Sequence, residues 1–175
     1  RTTMAIARDL AEGGDDVTMV ARRGSGLFGA ADVVPAGFVI ADPRPAGHFA
    51  RLAVVPQLRR TLRRLRPDVI LSAGNFGHFT LWAATRGLGR PIVYRFSNPM
   101  NRAGQPVRNL WRWLWTKLLI ASAARAILVG ASLVADPAFR DHVARGKAVL
   151  IRNGIDLSRA RASAGPAPTA MAGPD

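Results

Sequence analysis

The sequence contains no cysteine, which excludes a disulfide framework and metal sites built from thiolates and favours a reducing compartment. Long apolar runs are also lacking. The longest uncharged stretch, Val69 to Thr85, includes Asn, His and two Gly, so it does not predict a transmembrane helix. Since 175 residues with 49% hydrophobic content can bury a sizeable core, we expect one globular domain.

Acidic residues are few. The sequence has 11 Asp and Glu and 25 Lys and Arg, which give a formal net charge of +14. Such a charge attracts nucleic acid, anionic lipid or phosphorylated small molecules without choosing among them. Nearly all the basic residues are Arg in a chain rich in Ala, Gly and Pro, as a GC-rich coding bias would produce. The charge therefore does not by itself indicate a function.

The two ends of the chain differ in character. The sequence begins at Arg1 rather than Met, inside a helical pattern that has no capping residue, so we expect the natural N-terminus to lie upstream. Residues 158–175 are of low complexity and rich in Ala, Gly and Pro. We expect them to form a disordered tail after a single domain at residues 1–157.

Helical and strand patterns alternate through this domain. The predicted helices cover residues 1–10, 49–65, 79–88, 106–124 and 132–144, and the predicted strands cover residues 16–21, 37–41, 69–71, 91–96, 125–129 and 147–151. This alternation predicts an α/β fold, a Rossmann-like parallel sheet with helices on both faces. In the second helix Leu58, Leu62 and Leu65 form the expected buried stripe, the arginines from Arg59 to Arg66 form a solvated face, and Pro56 kinks the helix or starts a new segment.

Two strands of the predicted sheet end in polar residues that are candidates for a binding site, because ligands of such sheets bind outside the carboxyl ends of the strands. Asn75, Gly77 and His78 follow the first of these strands; Gly77 would let a ligand approach the backbone, and His78 could transfer a proton. Arg95 and Asn98 end the next strand and suit a sugar hydroxyl or a phosphate. Turn geometry alone, with His78 as a cap and Arg95 on the surface, explains the same residues.

The helix predicted at residues 106–124 is apolar on nearly all sides. On a helical wheel Leu110, Trp111, Leu114, Leu118 and Ala121 form a stripe expected to pack against the sheet. The other side mixes apolar and basic residues. A contact with an anionic membrane surface is therefore predicted through Arg108, Trp111, Arg112, Trp113 and Lys117, although burial on both sides explains the pattern as well.

Five segments in order resemble the N-terminal domain of family 4 glycosyltransferases, which are retaining enzymes of the GT-B fold. They read "AIARDLAEGGDDVTMVARRG", "LRRLRPDVILSAGN", "RPIVYRFSN", "ARAILVGASLVAD" and "KAVLIRNGIDLSR", and together they cover about residues 1–159. The resemblance implies an acceptor-binding domain that works with a UDP- or GDP-sugar donor. It also implies that the family's first strand and its donor-binding C-terminal domain lie outside this sequence, so the chain alone is expected to be inactive.

The resemblance adds three candidate residues. Ser132, expected from its position to cap the helix that begins there, is similar to a serine near the interdomain cleft of the family, and Asn153 resembles the hinge side of that cleft. Arg112 lies roughly where some relatives place an arginine for an acceptor phosphate. Many members carry a His-x-His at the place that reads Leu71-Ser72-Ala73 here, so the role of that histidine does not transfer directly to His78.

The sequence therefore predicts the acceptor side of a glycosyltransferase that transfers a sugar to a glycan or a lipid-linked acceptor, in the cytoplasm or on the inner face of the plasma membrane. No bound cofactor and no metal site are predicted. One alternative is another nucleotide-sugar enzyme of the GT-B fold, such as an epimerase. A second is a basic nucleic-acid-binding domain, although the Arg cluster lacks interleaved aromatic residues and no specific nucleic acid is expected.

Overall fold

The computed structural model describes residues 2–22, 39–41, 50–74, 77–99 and 104–154, and the structure is considered over these residues. The helices are α1 (Thr2–Glu12), α2 (Ala50–Leu65), α3 (His78–Thr85), α4 (Pro106–Ser122), α5 (Ala131–Ala135) and α6 (Arg140–Ala144). The strands are β1 (Val20–Arg22), β2 (Val39–Ala41), β3 (Ile70–Ser72), β4 (Ile92–Phe96), β5 (Arg125–Leu128) and β6 (Ala148–Leu150). The expected domain boundary at residue 157 and the tail lie outside the described residues.

The strands confirm the predicted α/β, Rossmann-like class. Strands β3, β4, β5 and β6 form a parallel sheet in chain order, and β1 pairs with β2, also in parallel, in a separate ladder. Among the described strands, β3 pairs only with β4. Because all four strands of the larger sheet run the same way, their carboxyl ends meet at one edge, where α3, α4 and α5 begin.

The core lies on one face of the larger sheet. Alternate strand residues point to that face and join apolar side chains from α2, α3, α4 and α5 in a single cluster, with Tyr94, Phe96 and Leu128 fully buried in it. Intervening strand residues such as Leu71 and Val149 are 36% and 38% exposed. The face packed by α2, α3, α4 and α5 is therefore the hydrophobic side of the sheet.

The helix predicted at residues 132–144 is two short helices, α5 and α6, so this prediction was wrong. Pro137 disfavours helical backbone at the residue before it, and Asp136 accordingly adopts an extended conformation with ψ of 129°. The carboxylate Oδ1 of Asp136 accepts the N–H of Ala138 at 2.9 Å, which stabilises the turn between the helices. The proline was visible in the sequence, and its effect on the preceding residue was the missed signal.

Helix α2 runs without a break through Pro56, and Leu62 is buried while Leu58 packs at the margin of the core. Arg59 departs from the predicted solvated face. Its Nη1 donates to the carbonyl oxygens of Ala84 at 3.1 Å and Arg86 at 2.6 Å, at the end of α3. The last carbonyls of a helix lack partners within the helix, so Arg59 ties the two helices together.

Helix α4 shows the opposite orientation to the predicted one. Thr116, Leu119 and Ile120 are buried, whereas the stripe expected to face the sheet points outward, with Leu110 57% and Trp111 60% exposed. A helix that is apolar on both sides gives no periodicity from which its buried side can be chosen, which explains the error. No described helix is both long enough and apolar enough to cross a membrane.

Candidate functional site

The candidate site lies at the carboxyl edge of the sheet and is built around Arg95, the fourth of five residues in β4. Its side chain is 8% exposed. Nη1 donates to the carbonyl oxygen of Ala73, just after β3, at 3.3 Å, and Nη2 donates to Oδ1 of Asn153, after β6, at 2.6 Å. Arg95 therefore joins the ends of the first and last strands of the larger sheet across β5.

The charge of Arg95 has no acidic partner in the described part of the chain, where its hydrogen bonds go to one carbonyl and one amide oxygen. A guanidinium has five N–H donors, and the described residues accept from two of its nitrogen atoms. Burying a cation without a counter-charge is costly, and an anionic ligand group at this edge would offset that cost. The arrangement is suited to holding a phosphate or carboxylate by charge-assisted hydrogen bonds.

His78 occupies a different environment. It is only 2% exposed, its ring packs edge-on against Tyr94 and Phe96 at centroid distances of 5.1 and 4.9 Å, and its Nδ1 lies 2.7 Å from the Oγ of Ser72. Its Nε2 is buried without a hydrogen bond in the described structure. The first turn of α3 therefore inserts His78 into the core beneath the carboxyl edge.

Burial lowers the pKa of His78 to about 4, and an interaction with the backbone of Arg95 acts weakly in the opposite direction. The imidazole is therefore neutral at physiological pH. Tyr94 and Phe96 point to the His78 side of the sheet, and since strand residues alternate, Arg95 between them points to the other side. The structure thus separates the His78 ring from the Arg95 guanidinium.

The remaining candidates at the strand ends have simple surroundings. Gly77 is exposed at the N-cap of α3, where its N–H donates to the carbonyl of Gly74 at 2.9 Å, and no side chain caps the helix. Asn98 is exposed two residues after β4. Asn75 lies outside the described residues. Gly77 and Asn98 share the carboxyl edge with Arg95, but no described hydrogen bond joins them to it.

Ser132 does not cap a helix, which corrects the prediction. The N-cap of α5 is Gly130, without a side-chain hydrogen bond, and Ser132 is an exposed residue inside the helix. The reason is that α5 begins at Ala131, so its N-cap lies two residues before Ser132. Arg112, on α4, donates to Oδ1 of Asn109 at 3.0 Å and to Oε1 of Gln105 at 3.2 Å, so its described contacts are local rather than with Arg95.

Two residues that were not candidates from the sequence make contacts that shape the site and its supporting helices. Ser72 supplies the hydrogen bond that orients His78. The sequence signal for this role was its position, because Ser72 is a polar residue at the end of a buried strand. Trp115 packs edge-on against Phe79 at 4.8 Å and near Trp82 at 5.8 Å, which joins α3 to α4. Over the described residues no group of three or more His, Cys, Asp or Glu side chains could hold a metal ion.

Comparison with known proteins places the fold in context. The family description "Glycosyltransferase Family 4" matches residues 1–159. Among solved structures, the chain is similar to Anabaena Alr3699/HepE, crystallised in complex with UDP and glucose, with a TM-score of 0.51 and 21% sequence identity. The similarity covers 69% of this chain and 32% of that chain, so the chain spans about a third of its neighbour's length. No curated protein matches.

The match to the family description extends over most of the chain, and the parallel α/β sheet agrees with the fold of the solved neighbour. The predicted resemblance is therefore confirmed. The chain belongs to glycosyltransferase family 4.

Proposed function

We propose that this chain forms the acceptor-binding side of a retaining glycosyltransferase of the hexosyltransferase type. The donor in this proposal is a UDP- or GDP-sugar, and the acceptor is a glycan or lipid-linked saccharide of a cell-envelope polysaccharide. The neighbour Alr3699/HepE was crystallised with UDP and glucose, which supports a nucleotide-sugar donor. The donor domain is supplied by other residues of the complete enzyme, and this chain by itself is expected to be inactive.

The observation that carries the proposal is the buried guanidinium of Arg95 at the carboxyl edge of the sheet. It is 8% exposed, fixed by Ala73 and Asn153, and free of acidic partners within the described residues. Fixed donors of this kind stabilise an anionic group without reorganising when it binds. Arg95 would accordingly hold an acceptor phosphate or a developing negative charge close to the reacting sugar.

The role of this domain in the reaction would be orientation rather than acid–base chemistry. His78 is neutral, buried and on the other side of the sheet from Arg95, so we assign it a structural role beneath the site instead of proton transfer. Asn98, Gly77 and Ser132 are exposed and could contact acceptor hydroxyl groups along the rim. Positioning two substrates in this way can supply a large part of an enzyme's rate enhancement.

The proposal is tested with the protein that contains this chain, incubated with UDP-glucose or GDP-mannose and a polyprenyl-diphosphate-linked saccharide. Release of UDP or GDP measures transfer, and the one-bond carbon–proton coupling constant of the new anomeric centre reports retention. Arg95→Met is expected to lower kcat/KM about ten- to hundredfold, because charge-assisted hydrogen bonds contribute about 1.5–3 kcal/mol. Arg90→Met is the matched control, since Arg90 is exposed before β4, at the opposite edge of the sheet.

The controls separate the alternatives. Circular dichroism melting shows whether Arg95→Met retains the fold, and burial of a cation without a carboxylate predicts little loss of stability on its removal. Conversion of the nucleotide-sugar to its epimer without an acceptor would identify an epimerase instead. Transfer that is equally fast with Arg95→Met and with Arg90→Met would refute the role of Arg95, and salt-dependent binding to random duplex DNA without any turnover would favour a nucleic-acid binder.

A further inference from the structure

Helix α4 carries an apolar surface that no described part of the chain covers. We call it the α4 outer face, and it consists of Val107, Leu110, Trp111, Leu114, Trp115 and Leu118, all between 37% and 68% exposed. At about 100° per residue these side chains cover an arc of about 140° on one side of the helix. The opposite side, with Leu119 and Ile120, is fixed in the core, so the exposure is a property of the packed helix.

Cations flank this apolar arc. On the helical wheel Arg108 lies beside one margin and Lys117 beside the other, while Arg112 lies further round towards the core. The ammonium of Lys117 stacks over the ring of Trp113 at 3.9 Å, so Trp113 is partly buried beneath a cation and is not one of the exposed residues. Trp111 and Trp115 are the exposed tryptophans of the helix.

The charge around the helix has one sign. Between Asp68 and Asp136 the sequence contains no acidic residue, and every charged side chain there is Arg or Lys. A second copy of this face would bring like charges together, which disfavours self-association. An apolar arc with indole rings, flanked by cations whose stems can reach outward, is complementary to the headgroup region of an anionic bilayer.

We propose that the α4 outer face docks on an anionic phospholipid bilayer, with the helix lying in the plane of the interface. The 17 residues of α4 span about 25 Å, a length that suits lying on the surface. Its first turn follows β4, whose carboxyl end holds Arg95, after a connection of residues 97–105. Docking would therefore bring the candidate site close to the membrane surface, whether or not the transferase proposal is correct.

The experiment is flotation of the protein that contains this chain, with vesicles of phosphatidylcholine alone and of equal parts phosphatidylcholine and phosphatidylglycerol. Binding is expected only to the anionic vesicles, and rising salt should weaken it. Trp111→Ser combined with Leu114→Ser should reduce the partition coefficient about tenfold or more. Arg108→Gln should reduce it about fivefold, since one cation near such a surface contributes about 1 kcal/mol.

Two matched controls lie away from α4. Arg64→Gln removes an exposed cation from α2, and Ile151→Ser removes an apolar side chain that is 53% exposed after β6. Both should bind vesicles like the unmodified chain. Should the double variant fail to fold by circular dichroism, Leu110→Gln at a 57% exposed position takes its place. Equal binding to both vesicle types, equal losses in the controls, or a dimer that α4 variants dissociate would each overturn the proposal.

Discussion

Arg95 and Asn153, 58 positions apart in the sequence, are joined by a hydrogen bond of 2.6 Å from Nη2 to Oδ1. The bond connects the middle of the sheet to the segment after β6, and together with the bond to the Ala73 carbonyl it fixes the guanidinium at the carboxyl edge. A buried cation held by neutral acceptors retains its full charge towards a ligand. This relationship makes Asn153 the residue through which the site can be changed most directly.

Asn153→Ala is expected to lower the free energy of unfolding by about 1 kcal/mol, measured by urea denaturation. The bond is charge-assisted, but Asn153 is exposed, so water replaces part of what is lost. Asn153→Asp keeps an acceptor and adds an opposite charge, so its stability should equal or exceed that of the unmodified chain. In the complete enzyme the new carboxylate should compete with an anionic acceptor and raise its KM.

The control for these variants is Asn98→Ala, an exposed asparagine at the same edge of the sheet. Its effect should stay within about 0.5 kcal/mol, as for other surface positions. A destabilisation of Asn153→Asp as large as that of Asn153→Ala would show that the charge of Arg95 does not contribute to the bond.

Ser72 and His78 are expected to be energetically coupled. Ser72→Ala leaves the buried Nδ1 of His78 without its hydrogen bond and should cost about 1–3 kcal/mol. His78→Phe keeps an aromatic ring against Tyr94 and Phe96 but leaves the serine hydroxyl unpaired. The double variant should lose less stability than the sum of the single variants, by about 1 kcal/mol.

Urea denaturation of all four proteins in the cycle gives this coupling energy. A control cycle pairs His78→Phe with Thr80→Ala, because Thr80 is half-buried and lies on α3 with His78. The free energies of this cycle should be additive within about 0.5 kcal/mol. Additivity in the Ser72 cycle as well would mean that the 2.7 Å contact does not stabilise the fold.

Stability should fall on acidification because of His78. Burial lowers its pKa from the ordinary value of 6.5 to about 4, so the unfolded chain binds this proton at a higher pH than the folded chain does. The contribution is therefore complete above about pH 6.5 and is lost as the pH falls towards 4, up to about 3 kcal/mol. Urea denaturation at a series of pH values measures it.

His78→Phe should flatten this part of the pH profile. His142 provides the comparison, since burial and the nearby Arg145 also lower the pKa of His142, but this residue is less deeply buried. His142→Gln should preserve most of the pH dependence. If the two variants flatten the profile equally, burial of His78 is not its main cause.

Arg59→Gln should lower the free energy of unfolding by about 1 kcal/mol, since it removes the donor to the carbonyls of Ala84 and Arg86 at the end of α3. Arg60→Gln is the matched control, because Arg60 is exposed on the same helix, and its effect should lie within about 0.5 kcal/mol. Thermal unfolding followed by circular dichroism measures both. Equal effects would show that the link between α2 and α3 does not stabilise the fold.

The sequence was informative where local pattern decides structure. The strand predicted at residues 69–71 is Ile70–Ser72, and the helix predicted at residues 106–124 is Pro106–Ser122, because apolar runs and flanking Gly and Pro act within a few residues. The pairing of Arg95 with Asn153 did not follow from either local pattern, although both residues were candidates. It depends on how four strands align.

The orientation of side chains was harder to predict than the elements that carry them. His78, on α3, is buried because Tyr94 and Phe96 of β4 surround its ring. No residue near His78 in the sequence indicates this burial. The outward orientation of Leu110 and Trp111 likewise depends on the better fit of Leu119 and Ile120 to the core. Tertiary packing decides between two apolar sides of a helix, and periodicity does not.

The contacts of Arg95 also have a consequence for the order of folding. Its partners follow β3 and β6, so both of its hydrogen bonds are present only when the two outermost strands of the larger sheet have joined. Such non-local contacts form late, because a long loop must close first. A folding intermediate that lacks β6 would hold a packed core and a loosely held guanidinium, so the ability to bind an anion at this edge should appear only with the last strand.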